Sequence, residues 1–126
     1  MLKVLITNDD GIHAEGIKRL VESLRGRAVI YVSAPSEERS AVGHGITVRT
    51  PLRAKSIDFH GYSDITAWSI NGNPADCVKM AILALMEEKP DLILSGINAG
   101  INLGKDIYYS GTVSAAREGV ILGIPS

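Results

Sequence analysis

The chain has 126 residues, 45% of them hydrophobic, and a formal net charge of −1. That is one domain's worth of sequence with ample apolar side chains for a core, and its scattered Lys and Arg leave no basic footprint for a nucleic-acid duplex. No apolar stretch is long enough to span a bilayer, the N-terminus lacks a secretory pattern, and the single cysteine, Cys77, excludes an intrachain disulfide, so a cytoplasmic protein without a membrane partner is expected.

Residues 2–7 form an apolar run that predicts a buried strand. It ends in Asn8-Asp9-Asp10-Gly11. Two adjacent carboxylates at the end of a buried strand lose hydration and repel each other. A hard divalent cation offsets both effects, and Gly11 lets the backbone turn sharply or a ligand approach closely. Taken alone, the same four residues also suit an ordinary solvated turn. Ile17, Leu20, Val21 and Leu24 then recur at helical spacing, with Gly26 as the stop.

Residues 28–33 predict a second buried strand and residues 35–44 a polar loop. Residues 46–53 alternate and are interrupted by Pro51, which suggests an antiparallel or edge excursion. Residues 55–64 look like a mobile connection, and 65–70 a short strand before the Asn71-Gly72 turn. Asn73 as N-cap, Pro74 in the first turn and Asp76 near the positive helix end announce the next helix. Val78, Ile82 and Leu85 continue its apolar face, with Ala75 and Ala81 beside them, and Lys89-Pro90 ends it. Cys77 falls on that face, where a small buried thiol is expected. Residues 91–94 predict a third buried strand, 96–111 a Gly- and Asn-rich loop, and 112–122 a helix that is small on one side at Ala115, Ala116 and Gly119.

This alternation is the signature of a Rossmann-like, three-layer α/β/α domain with a mostly parallel, doubly wound sheet. Residues 1–126 are expected to form a single such domain. Another strand is due where the chain stops, so it reads as the N-terminal portion of something longer.

Loops 8–13, 34–44 and 95–111 each follow a buried strand, so in a parallel sheet they converge on one edge. They offer Asp9 and Asp10, then Ser36, Ser40 and Gly43-His44-Gly45, then Ser95, Asn98 and Asn102. Oxygen donors of this kind suit Mg²⁺, Mn²⁺ or Ca²⁺ and not zinc. Ser110-Gly111-Thr112 opens a helix, where N–H groups and hydroxyls suit either an anion or plain capping. His44 is a candidate general acid or a substrate contact. His13 and His60 read as surface residues, Trp68 as a core or interface aromatic, and Tyr108 and Tyr109 as lining a pocket mouth. The charged runs at 25–27 and 87–89 read as solvated helix ends. A P-loop, a dinucleotide fingerprint and a nucleophile elbow are all missing. Adjacent carboxylates also lack the Asp-x-Asp spacing of haloacid-dehalogenase-like phosphatases, and no middle strand ends in the Asp that a receiver domain needs.

Five ordered motifs carry a more specific likeness: residues 4–11 (VLITNDDG), 34–44 (APSEERSAVGH), 72–78 (GNPADCV), 94–104 (LSGINAGINLG) and 109–119 (YSGTVSAAREG). With these the chain resembles the SurE family of metal-dependent nucleotidases. The resemblance implies one divalent metal, Mg²⁺ or Mn²⁺ with Ca²⁺ as an alternative, held by Asp9, Asp10, Ser40 and Asn98. It implies phosphate contacts from Ser110, Gly111 and Thr112, with Gly43 and His44 nearby. Asp9 is the residue expected to orient or deprotonate the attacking water. The implied reaction is hydrolysis of nucleoside 5′- and 3′-monophosphates, by a homodimer or homotetramer in the full-length form. A non-catalytic nucleotide- or phosphate-binding module is the alternative. Asn73 departs from the family's usual Thr, and Glu15 from its usual Pro.

Overall fold

The computed structural model describes residues 1–37, 51–99 and 110–126. In chain order the elements are β1 (Lys3–Thr7), α1 (Glu15–Leu24), β2 (Val29–Pro35), β3 (Ala54–Ile57), β4 (Ile65–Ile70), α2 (Pro74–Met80), a π-helical turn (Ala81–Leu85), β5 (Leu92–Ser95) and α3 (Gly111–Ile121). Among the described residues they build a five-stranded sheet in the order β3-β4-β2-β1-β5. β4, β2, β1 and β5 run parallel, and β3 joins the edge antiparallel to β4. This is the expected Rossmann-like α/β architecture.

Side-chain alternation along each strand divides the core in two. Val4 and Ile6 of β1 pack with Ile17 and Val21 of α1 and with Ile30 and Val32 of β2. Leu5, between them, packs on the opposite face with Val78, Ala81, Ile93 and Ala115, beneath α2 and α3. Both faces of β1 are thereby covered, which is why its sequence is a continuous apolar run rather than an alternating one. Each large aliphatic side chain buried in this way contributes about 1.5–3 kcal/mol. The first turn of α2 carries a reciprocal capping box, in which the Asn73 side chain accepts from the Asp76 N–H and the Asp76 carboxylate accepts from the Asn73 N–H. Asn73 is therefore a working N-cap in this chain. Gly26 takes φ 83° just after α1, as its role of stop requires.

Several expectations are corrected. Residues 55–64 are not a mobile connection. Their first part lies in β3, and Phe59 is 1% exposed within the core on the α1 side. Ile57, Phe59 and Tyr62 are scattered among polar residues and Gly61 with no sustained period, so the anchor is invisible until the tertiary contacts exist. An antiparallel edge strand lies at Ala54–Ile57, just after the segment 46–53 for which one was expected. Residues 51–53 carry no strand, and 46–50 lie outside the described residues. The second helix is also shorter in its regular part, and Leu85 is only half-buried in the π-helical turn that follows it.

The buried thiol reading of Cys77 holds. Trp68 is half-buried and stacks on Tyr31, with ring centroids 6.2 Å apart. Arg25 is no idle helix end. It pairs with Asp64 at 2.9 Å and lies over the Tyr62 ring, fastening the end of α1 to the β3–β4 connection.

Phe59→Ala should destabilise the fold by about 3–5 kcal/mol in urea denaturation; a loss under about 1 kcal/mol would show that the segment contributes no core. The Asp64 carboxyl is held below its ordinary pKa by the Arg25 hydrogen bond. Because the folded-state value is lowered, this contact stabilises above the unfolded pKa and is lost as pH falls through the folded one. The stability gap between wild type and Asp64→Asn should therefore close in acid and stay constant near neutrality.

Candidate active site

The carboxyl ends of β1, β2 and β5 meet at one edge of the sheet, where open α/β folds place their ligands. Thr7 of β1 lies in register with Ser95 of β5, so the loops leaving these strands start side by side. The first loop is held by its own asparagine. Asn8 is fully buried, donates through Nδ2 to the Gly11 carbonyl at 2.7 Å, and accepts from the Gly11 N–H at 3.2 Å. This double clamp closes a tight ring over Asp9 and Asp10, with Gly11 at φ 108°, a conformation that disfavours a side chain. The ring is docked onto the second loop by the Ile12 N–H, which donates to the Pro35 carbonyl at 2.8 Å.

The two carboxylates leave this ring toward different elements. Asp9 is 5% exposed and lies against the start of α3: a Cβ at residue 111 would fall 2.3 Å from Asp9 Oδ1 and 3.0 Å from Pro74 Cγ. Gly111 is thus a requirement of space. The arrangement brings a carboxylate to the positive end of a helix, a placement worth about 0.3–2 kcal/mol. Asp10 is half-buried, and its Oδ2 accepts the Ala99 N–H at 2.9 Å. That bond ties it to the loop after β5, one residue from Asn98. The start of this loop is anchored by the Gly96 N–H, which donates to the Thr7 carbonyl at 2.9 Å.

Of the residues singled out from the sequence, Asp9, Asp10, Asn98, Ser110, Gly111 and Thr112 come to this edge. Ser40, Gly43 and His44, together with Asn102, Tyr108 and Tyr109, lie outside the described residues. Ser36 is exposed, with its backbone N–H bonded to the Ile70 carbonyl. His13 is exposed beside the first loop, and His60 is exposed on the β3–β4 connection. Ser110 is the N-cap of α3, its Oγ accepting from the Val113 N–H at 3.2 Å. Capping therefore uses one first-turn donor, and the N–H groups of Gly111 and Thr112 lie outside that cap.

Sequence reading missed three features. Asn8 passes for a turn residue, although a buried Asn three residues before a Gly is a recognisable Asx pattern. Gly16 passes for a weak helix former. The third is Thr7: among the described residues its Oγ1, like the Ser95 Oγ and the Thr112 Oγ1 already singled out from the sequence, is buried without a hydrogen-bond partner. Thr112 shares the sheet-facing side of α3 with buried Ala115 and Gly119. Each orphaned hydroxyl costs about 1–3 kcal/mol, and such groups mark places where water or a ligand completes the bonding.

The likeness to known proteins agrees with this geometry. The family described as Survival protein SurE matches residues 4–126. The chain belongs to the SurE family. It is 58% identical to the 5′-nucleotidase SurE of Brevibacillus brevis over 98% of this chain and 48% of that protein. It is 54% identical to the 5′-nucleotidase SurE of Heliobacterium modesticaldum over 99% of this chain and 46% of that protein. The crystal structure of the SurE protein from Aquifex aeolicus superposes with a TM-score of 0.83 at 49% identity, covering 98% of this chain and 48% of that one. The chain thus spans about half the length of the SurE relatives it matches. No helix among the described residues is long and apolar enough to cross a membrane.

Asn8→Ala removes both bonds to Gly11 and should cost about 1–3 kcal/mol in chemical denaturation, because the Gly11 N–H loses its partner and the Gly11 carbonyl keeps only the Ala14 N–H. Asn8→Asp keeps an acceptor for the Gly11 N–H but turns a second oxygen on the Gly11 carbonyl and buries a third carboxylate beside Asp9 and Asp10, so it should cost at least as much as Ala; a variant as stable as wild type would refute the clamp.

Proposed function

We propose that this protein is a metal-dependent phosphohydrolase that cleaves nucleoside 5′- and 3′-monophosphates to nucleoside and phosphate. The observation that carries the reading is the seating of the Asp9 carboxylate against Gly111 at the N-terminus of α3, with Asp10 fastened to the loop of Asn98. A carboxylate pair and a helix N-terminus at one sheet edge put a cation site beside an anion site. Phosphoryl transfer to water needs that combination. The names of the relatives, 5′-nucleotidases, support the substrate class.

The donor chemistry fits a hard divalent ion. Asp9, Asp10 and Asn98 present oxygen donors from adjacent strand ends, and among the described residues no cluster of His, Cys, Asp and Glu offers a softer alternative. Asp9, Asp10 and Asn98 would hold Mg²⁺ or Mn²⁺, with Ser40 completing the protein ligands. When bound, such an ion supplies Lewis-acid polarisation of the phosphoryl group, neutralisation of developing charge and activation of water.

The chain's own residues do the rest. The first-turn N–H groups of α3 receive phosphoryl oxygens, and the helix dipole favours their negative charge. Ser110 keeps that turn in shape by capping Val113. Asn8 and Gly11 hold Asp9 and Asp10 apart and directed, so little reorganisation is needed as charge develops. Asp9 orients the attacking water, and Gly43 and His44 contribute to the substrate side. A nucleotide-binding module without turnover would use the same helix terminus and is separated by the experiment.

Phosphate release from a panel of nucleoside monophosphates should depend on added Mn²⁺ or Mg²⁺ and vanish in Asp10→Ala. Release that persists in Asp10→Ala, or binding of nucleotide with no release by the intact protein, would overturn the reading. In Asp9→Asn, retained turnover with metal still bound would remove Asp9 from the role of base.

A further inference from the structure

We infer that Gly16, in the first turn of α1, is the seat on which the loop after β5 rests, and that through its contact with Ile97 it positions Asn98 and Asp10. The inference rests on the metal reading above for its functional consequence, but its structural basis is independent of it.

A Cβ at residue 16 would lie 2.0 Å from the carbonyl oxygen of Ile97 and 3.1 Å from its carbonyl carbon. Both are backbone atoms, so no side-chain rotation relieves the overlap. Gly16 has no positive φ. It sits in an ordinary helical turn, where Ala would be the better helix former. Glycine is therefore required by space alone, and the space is occupied by the residue next to Asn98. Ile97 is 54% exposed, so burial of this residue does not hold the loop in place.

The loop is fixed at three points along four residues. At its start, the Gly96 N–H donates to the Thr7 carbonyl. In its middle, the Ile97 carbonyl rests on Gly16. At its end, the Ala99 N–H donates to Asp10 Oδ2. Displacing the middle point by the ångström or so that a methyl group demands moves Asn98 and withdraws the Ala99 N–H from Asp10. α1 is thereby coupled to the loop of Asn98 through this backbone contact, in addition to the Ala14 N–H that ties its start to the Gly11 carbonyl. Gly16→Ala should strengthen the helix and weaken the site, and these opposite signs separate positioning from ordinary destabilisation.

The test compares intact wild-type protein, Gly16→Ala and, as a control on the same helix, Lys18→Ala. Mn²⁺ affinity is read from the free-ion electron paramagnetic resonance signal, and amide exchange of Ala99 is read without metal. Gly16→Ala should raise the Mn²⁺ dissociation constant by about 10–100-fold, the range expected when groups supporting the ligands are lost. It should also speed Ala99 exchange, with Lys18→Ala matching wild type in both. An unchanged Ala99 amide or an unchanged Mn²⁺ affinity in folded Gly16→Ala overturns the inference. Wild type that takes no Mn²⁺ counts against the metal reading instead, and the Ala99 amide then decides the seat alone. Should Gly16→Ala fail to fold, wild-type exchange with and without Mg²⁺ replaces it. Slower exchange across residues 15–18 on metal binding supports the seat, and no change there overturns it.

Discussion

Everything at this site depends on placing two neighbouring carboxylates at the end of a strand buried on both faces. Asp9 and Asp10 follow directly on residues that are almost wholly withdrawn from water. Like charges so close are tolerated only if each meets compensating dipoles or a cation. The fold answers by sending them apart. Asp9 goes to the positive end of α3 and Asp10 to the Ala99 N–H, while Asn8 keeps the intervening backbone closed. The rest of the edge can be understood as the support that this divergence needs.

That support draws on elements distant in sequence. β1 and β5 are separated by most of the chain, yet their parallel register places Thr7 beside Ser95 and so brings the two ligand loops together. The start of α3 must come close enough to Asp9 that no side chain fits at residue 111, and α1 close enough to the β5 loop that none fits at residue 16. Two glycines with ordinary backbone angles thus act as contact surfaces. Gly11 is different, because its positive φ sets the shape of the turn itself. The same residue type serves two unrelated physical needs within one site.

The far side of the sheet shows how a small domain stabilises an edge. β3 is short, antiparallel and mostly exposed, and its pairing with β4 alone would be marginal. Phe59 in the core and the Arg25–Asp64 and Arg25–Tyr62 contacts fasten the β3–β4 connection to α1. The surface ion pair contributes little by itself, and the buried aromatic dominates.

Local sequence determined much about this protein. Continuous apolar runs marked β1, β2 and β5, because a parallel strand covered on both faces has no polar side to show, and the Asn71-Gly72 turn marked the end of β4. Asn73-Pro74 with Asp76 marked the start of α2, because a helix cap is satisfied within four residues. The carboxylate pair, the asparagine-rich loop and Ser110-Gly111-Thr112 marked the candidate site, because their chemistry is written in residue type. Tertiary structure alone decided the remainder: that Phe59 anchors a polar segment, that β3 lies at 54–57, that Asn8 clamps Gly11, and that Gly16 and Gly111 are spacers. Each of these depends on which atom of a distant segment comes within a few ångströms, and periodicity, capping and composition carry no record of such distances.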